Sequence, residues 1–365
     1  MTSFRKYFIY HFKTTFLRLV IIAVLSAVLV STFILETRSI YSSGGVRYSI
    51  QPDVLRIVAM VIATIIPVLE FLPFKNRRNM DTVLFLPIDR RKMAAVHFIN
   101  GFLHIFIINL ICFAITFFTL RAYNYPCGFG NLSLLCAFTI FGCLAVYSIT
   151  AFIFDRANIT ADGIIWLLFY SALGALIFDV GENLYTGINK IGFEQFYSRE
   201  RSFVPGIFSP YFLLFITWDT VQRILLPKYD IRETGATRTI TESEYLPSTF
   251  TITLEKSDLT GMIFWAILIP LCIFGVIWMF KSKHPENIGS ISDSAFGYKI
   301  LLPLTAIAMI ADISATPQDA GVYVVTLVAL VIGYIIYRRG IRFKPLDYVS
   351  IAISLIIPPI LITFM

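Results

Sequence analysis

Apolar and polar positions along this chain fall into long blocks rather than short alternations. Nine apolar runs stand at roughly 19–36, 54–73, 94–120, 131–154, 162–180, 259–280, 297–311, 320–337 and 348–365. A helix that crosses a bilayer needs about 20 predominantly apolar residues. The blocks therefore predict an all-α polytopic membrane protein of about nine transmembrane helices. Pro303 interrupts the seventh run, and Pro358 and Pro359 interrupt the ninth. Charge alternates between the runs. Segments 1–18, 74–93, 155–161, 281–296 and 338–347 carry 4, 6, 1, 2 and 4 Lys/Arg, while 37–53, 121–130 and 312–319 carry 2, 1 and 0. Cytoplasmic loops collect Lys and Arg. The first set is expected inside, with a cytoplasmic N-terminus, and nine crossings put the C-terminus outside.

Composition agrees with this pattern. Of the 365 residues, 57% are hydrophobic and 15% charged, against about 25% charged in soluble domains. Mean hydropathy is +0.76. The net charge of +7 sits at loop ends, so membrane lipids and no nucleic acid are the expected partners. The basic start is followed by no small-residue cleavage site, and the first run is read as a retained helix. Of the five cysteines, Cys112, Cys136, Cys143 and Cys272 lie inside apolar runs and Cys127 in a loop. They form neither a paired framework nor a metal spacing.

Two regions outside the spans have their own periodicity. In residues 1–18, Phe4, Phe8, Phe12 and Phe16 recur every four residues, with Arg5, Lys6 and Lys13 elsewhere on the wheel. This predicts an amphipathic interfacial helix. Segment 181–258 is expected outside, as a small extracellular subdomain. Within it, Leu214, Trp218, Val221 and Leu225 line one face of a helix started by Pro210, with Asp219 and Arg223 opposed. That helix is too short to span and reads as interfacial or re-entrant. Residues 237–241 and 250–255 alternate and suggest a β-hairpin.

The stretch 75–93, KNRRNMDTVLFLPIDRRKM, lies between the second and third runs. Its flanking basic residues follow from topology. Asn76 is positioned to cap a short helix over 76–86, with Met80, Val83 and Leu84 on one face and Arg77, Arg78 and Asp81 beside or across from it. Pro87 closes the segment, and Asp89 is placed to cap the third spanning helix. An apolar face held outside the bilayer calls for lipid or protein against it.

This stretch resembles the cytoplasmic loop after the second helix of ABC-2 type exporter permeases, with its Arg-rich start, Asp and Leu-Pro-Ile-x-Arg exit. KSKHPENIGS, residues 281–290, is similar to a basic-x-x-Glu-x-x-Gly pattern after the sixth helix of many members: Lys283, Glu286 and Gly289 match, while His284 and Ile288 depart from it. The resemblance covers about residues 1–290. It implies a six-span permease core over 19–280, with 281–365 adding a cytoplasmic loop and three further spans. It also implies a coupling helix at 76–86 that docks into a separate ATP-binding subunit, contacting it through Arg77, Arg78, Met80, Asp81, Val83, Leu84 and Glu286. A second permease subunit, identical or related, would complete a pathway walled by spans one, two and five. The cargo would be an amphipathic peptide, antibiotic or lipid leaving a bacterial cell through its plasma membrane.

No GxxxxGK[ST] loop occurs, so ATP and Mg would belong to the partner and this chain is expected to carry neither cofactor nor catalytic residue. His11, His97, His104 and His284 show no HxxxH or HExxH spacing, and no metal site is expected. Among intramembrane ionisable residues, Arg56 and Asp179 lie near outer span ends. Glu70, near the inner end of span two, is a candidate partner for a basic residue of the 75–93 loop. Asn100 and Asn109 read as interhelical hydrogen-bond partners, and Gly142, Ala145, Ser148 and Ala151 as a packing face for another helix or a second subunit. Two readings from other classes stay open: a non-transporting membrane sensor or immunity protein that binds a ligand through 181–258, and a secondary transporter.

Overall fold

The computed structural model describes residues 3–39, 46–50, 53–76, 88–123, 128–189, 205–225, 229–234, 237–242, 256–282, 286, 288–290, 292, 294, 296–313 and 320–364. Helices stand at all nine apolar runs: α1 Ser3–Phe33, α2 Asp53–Phe71, α3 Arg90–Ala122, α4 Phe129–Arg156, α5 Thr160–Asn189, α9 Lys256–Met279, α10 Tyr298–Ile313, α11 Ala320–Arg338 and α12 Pro345–Ile362. Between α5 and α9 lie α6 Pro205–Phe208, α7 Pro210–Phe212 and α8 Trp218–Leu225. Eight helices among the described residues are long and apolar enough to cross a membrane. The exception is α10. Its 16 residues extend about 24 Å at 1.5 Å per residue, short of a hydrocarbon core of about 30 Å. It still packs against α5, α11 and α12.

The bundle is apolar on its outside as well as its inside, as lipid solvation demands. On α9, Ile263, Ile267, Leu271, Phe274 and Trp278 form an exposed stripe at helical spacing, while Trp265, Ile269 and Val276 face inward. Pro270 sits within this helix. Such prolines are tolerated where neighbouring groups satisfy the freed backbone.

The structure draws no boundary at residue 18. Segment 1–18 and the first span form one 31-residue helix, because no Gly or Pro interrupts residues 3–33. At about 46 Å it is longer than the bilayer core. The expected aromatic face divides: Phe4, Phe8 and Phe12 pack on the protein core, while Phe16 is exposed.

The chain segments grouped by charge meet at one end of the bundle. Lys75 reaches the carbonyls that end α4, Asn158 N–H donates to Ser292 Oγ at 2.9 Å, and Arg339 donates to Gly289 O at 2.7 Å. Gly289 has φ +87°, a left-handed conformation that glycine adopts without strain. At the other end lies a four-stranded antiparallel sheet in the order β1 Leu35–Ser39, β2 Val46–Ile50, β3 Tyr229–Thr234, β4 Thr237–Glu242. The expected strand at 237–241 is present. It pairs with β3, from Tyr229↔Glu242 to Thr234↔Thr237; its expected partner, 250–255, lies outside the described residues. Only Gly235 and Ala236 separate β3 from β4, and a two-residue connection that starts with Gly favours a tight hairpin.

The segment 205–225 behaves as its pattern predicts. Ser209 caps at Pro210, accepting from Tyr211 N–H at 3.2 Å. Leu214, Trp218 and Val221 are buried, and Asp219 pairs with Arg223 at 2.7 Å on the opposite face. A π-turn, Leu213–Thr217, lies between. This piece also occupies the small-residue stripe of α4. A Cβ on Gly142 would collide with Leu214, and Ala145 packs with Leu213, Trp265 and Ile269. The stripe is filled from within the chain, so it offers no face to a second subunit.

Candidate functional site

Three helices bring polar side chains to one point near the charged-loop end. On α1, Tyr7, His11, Thr15 and Arg18 recur at spacings of four, four and three, which puts them on one face. On α3, His97, Asn100 and His104 do the same. Both faces converge on Glu70 of α2, whose side chain is fully buried. Gly101 allows the approach: a Cβ there would sit 2.8 Å from Glu70 Cγ.

The carboxylate is held from several directions. Its Oε1 accepts from the Arg18 guanidinium and from Asn100 Nδ2 at 2.9 Å. Its Oε2 lies 2.8 Å from His11 Nε2 and 3.4 Å from His97 Nδ1. His104 Nδ1 stands 3.9 Å from Oε1. His97 is fixed at both nitrogens, Nδ1 being 3.1 Å from the Glu70 carbonyl and Nε2 3.0 Å from the Tyr7 hydroxyl. Asn100 Nδ2 also donates to Thr15 Oγ1 at 3.1 Å, which joins α1 to α3 directly. A buried carboxylate costs several kcal/mol in desolvation unless it is paired and hydrogen-bonded. Here the Arg18 cation supplies the counter-charge and the neighbouring polar groups fill the remaining lone pairs.

The expected partner for Glu70 was a basic residue of the 75–93 loop. Its partners among the described residues are on α1 and α3 instead, because α1 continues straight past residue 18 and carries His11 and Arg18 alongside α2. The histidines, which show no motif spacing in the sequence, prove to be a group: three of the four surround one carboxylate. Sequence motifs missed them because His11 comes from a different helix, and His97 and His104, seven residues apart on α3, match no short motif. The visible signal was the polar periodicity of His97, Asn100 and His104 inside an otherwise apolar run.

A second arrangement fixes the start of the basic loop. Lys75 ends a 3-10 turn, Leu72–Lys75, that continues α2. Its buried Nζ donates to Asp155 O at 3.1 Å and to Ala157 O, and lies 5.0 Å from the Phe154 ring centroid. A cation on the last carbonyls of α4 complements that helix's dipole. At the loop's far end, Asp89 caps α3 as expected, accepting from Arg91 N–H at 3.1 Å. Asn76 is exposed and extended. Arg77, Arg78, Met80, Asp81, Val83 and Leu84 lie outside the described residues. Glu286 is exposed.

Of the other sequence candidates, Arg56 is anchored at the sheet end of α2. It pairs with Asp53 at 3.0 Å, donates to Phe215 O at 2.7 Å and stacks over Phe215 at 4.0 Å. Asn100 and Asn109 both bridge helices as anticipated: Asn100 reaches Glu70 and Thr15, and Asn109 donates to Cys143 Sγ of α4 at 3.8 Å as well as to Ile105 O of its own helix at 2.9 Å. The fold is thus that of a multi-pass helical membrane protein with a buried Glu70 cluster. No family model, no curated protein and no solved structure matches the chain.

Proposed function

We propose that this chain is the membrane-spanning permease subunit of an ATP-driven exporter of the ABC-2 type. A separate ATP-binding subunit would supply the energy, and the cargo would be amphipathic. The observation that carries the reading is the tethering of the 76–88 loop. It leaves α2 through Lys75, which is bound to the end of α4, and re-enters the bundle at a capped α3. A segment held at both ends transmits displacement into the helices that hold it, which a topological spacer has no need to do. Its apolar positions Met80, Val83 and Leu84, which share one face if the segment is helical, would supply a surface for a partner groove. Closure of two ATP-binding subunits would push on this loop and rock the permease halves, a rigid-body transition.

The test is association with an ATP-binding subunit. Met80→Glu combined with Leu84→Glu is expected to abolish co-purification of that subunit while the protein still inserts. Unchanged association removes the coupling role from this loop.

A second reading rests on the sheet. Strands from residues 35–50 and 229–242 combine across a long chain separation, which gives a sensor or immunity protein a structured surface for an external ligand. Binding of such a ligand without any ATPase partner would favour it.

A further inference from the structure

We propose that His11, Glu70, His97 and His104 form a closed four-ligand site for a divalent first-row transition metal, Zn2+ foremost, that clasps α1 to α2 and α3. One ligand atom each from His11, Glu70 and His97 lies within 4.8 Å of the others. Ligand atoms around a tetrahedral Zn2+ bonded at about 2.0–2.2 Å stand ~3.3 Å apart. His11 Nε2 and His97 Nδ1 stand 2.8 and 3.4 Å from Glu70 Oε2, on either side of that value, while His104 Nδ1 lies outside this compact trio, 3.9 Å from the other oxygen, Oε1, and would move inward to complete the set.

An independent observation points the same way. His104 Nδ1 is buried without a hydrogen-bond partner, and so is Asn100 Oδ1, on the same helix. Each unsatisfied buried group costs about 1–3 kcal/mol. A cation bound at Glu70 would use His104 Nδ1, 3.9 Å from Oε1, as a ligand. Three imidazoles and one carboxylate suit Zn2+, and they suit Mg2+ and Ca2+ poorly, since those ions take oxygen. His97 is oriented for the role. With Nδ1 on the metal, Nε2 carries the proton and donates to the Tyr7 oxygen 3.0 Å away, the outer hydrogen bond that metal-bound histidines usually make. The contact from Nδ1 to the Glu70 carbonyl is exchanged for the metal bond.

Arg18 competes for the same carboxylate. Its side chain is 24% exposed, and a long stem allows it to turn toward the headgroups. In the metal-free arrangement it is the resident cation, and metal binding displaces it.

The experiment titrates Zn2+, with Mg2+ as control, into the purified full-length chain in lipid nanodiscs, reading stoichiometry and affinity by calorimetry. One Zn2+ per chain is expected in the presence of excess Mg2+. His11→Gln and His104→Gln, tested separately, are each expected to weaken binding by about 10–100-fold or more. Arg18→Gln is expected to tighten it by about tenfold or more, because it removes a nearby like charge. The absence of saturable Zn2+ binding, or binding left intact in both histidine variants, overturns the proposal. Binding weakened by Arg18→Gln overturns it as well.

Discussion

Lys75 Nζ donates to Ala157 O, so the last residue before the basic loop also closes the end of α4. The bond spans 82 positions of sequence and replaces solvent at the carbonyls of a buried helix terminus. Lys75→Met keeps the apolar stem and removes the donor. It is expected to cost about 1–3 kcal/mol, the penalty for an unsatisfied buried acceptor, read as a lower thermal midpoint in detergent. An unchanged midpoint means water reaches those carbonyls.

Arg18 and Glu70 call for a double-mutant cycle. Breaking a buried ion pair from one side costs about 3–5 kcal/mol, because a charge is left behind. Arg18→Gln and Glu70→Gln are each expected to destabilise by that order. The double variant is expected to cost less than the two together, with a coupling energy above about 1 kcal/mol. Additive losses in chemical denaturation would argue that the two side chains act independently.

Gly142 faces Leu214. Gly142→Val places side-chain atoms where Leu214 now sits, and overpacking of this kind costs about 1–3 kcal/mol. Adding Leu214→Ala makes room and is expected to recover much of the loss. Failure of the second change to rescue the first would mean that the 205–225 segment is not seated on α4.

The sidedness of the two ends is open to chemical labelling. Cys127 is first replaced by Ser, since the four described cysteines are all buried. A cysteine at Thr241 in β4 is then expected to react with a membrane-impermeant maleimide on intact cells. A cysteine at Lys281, which is exposed at the opposite end, is expected to react only after lysis. The reverse pattern would invert the charge-based orientation.

Much of this architecture was legible in the pattern of apolar runs, because a bilayer imposes the same length and polarity on every span. The helix at 211–225 was readable from Pro210 and the Leu214, Trp218, Val221 spacing for the same reason that any amphipathic helix is. Three features were not. The continuity of α1 was hidden by its change from an aromatic-basic to an aliphatic surface, although nothing in the backbone breaks there. The pairing of β2 with β3 depends on contacts between residues 46–49 and 230–233, which local alternation does not encode. The Glu70 cluster was half visible: a buried carboxylate demanded a counter-charge, but which helix supplied it depended on tertiary packing. His11 and His104 lie 93 positions apart, and no short motif joins them.

The two ends of α1 together determine what kind of motion the bundle permits. Near its start the helix is fastened through His11 and Arg18 to Glu70. At its far end it runs through Ile34 into β1, whose ladder carries on through β2 to β3, across the four pairs from Val46↔Glu233 to Ser49↔Asp230. A rod pinned twice cannot tilt freely. Either the ionic pin or the backbone ladder must yield first, and the two respond to different agents, one to cations and the other to whatever engages the sheet. The order in which they release would then set which end of α1 swings free.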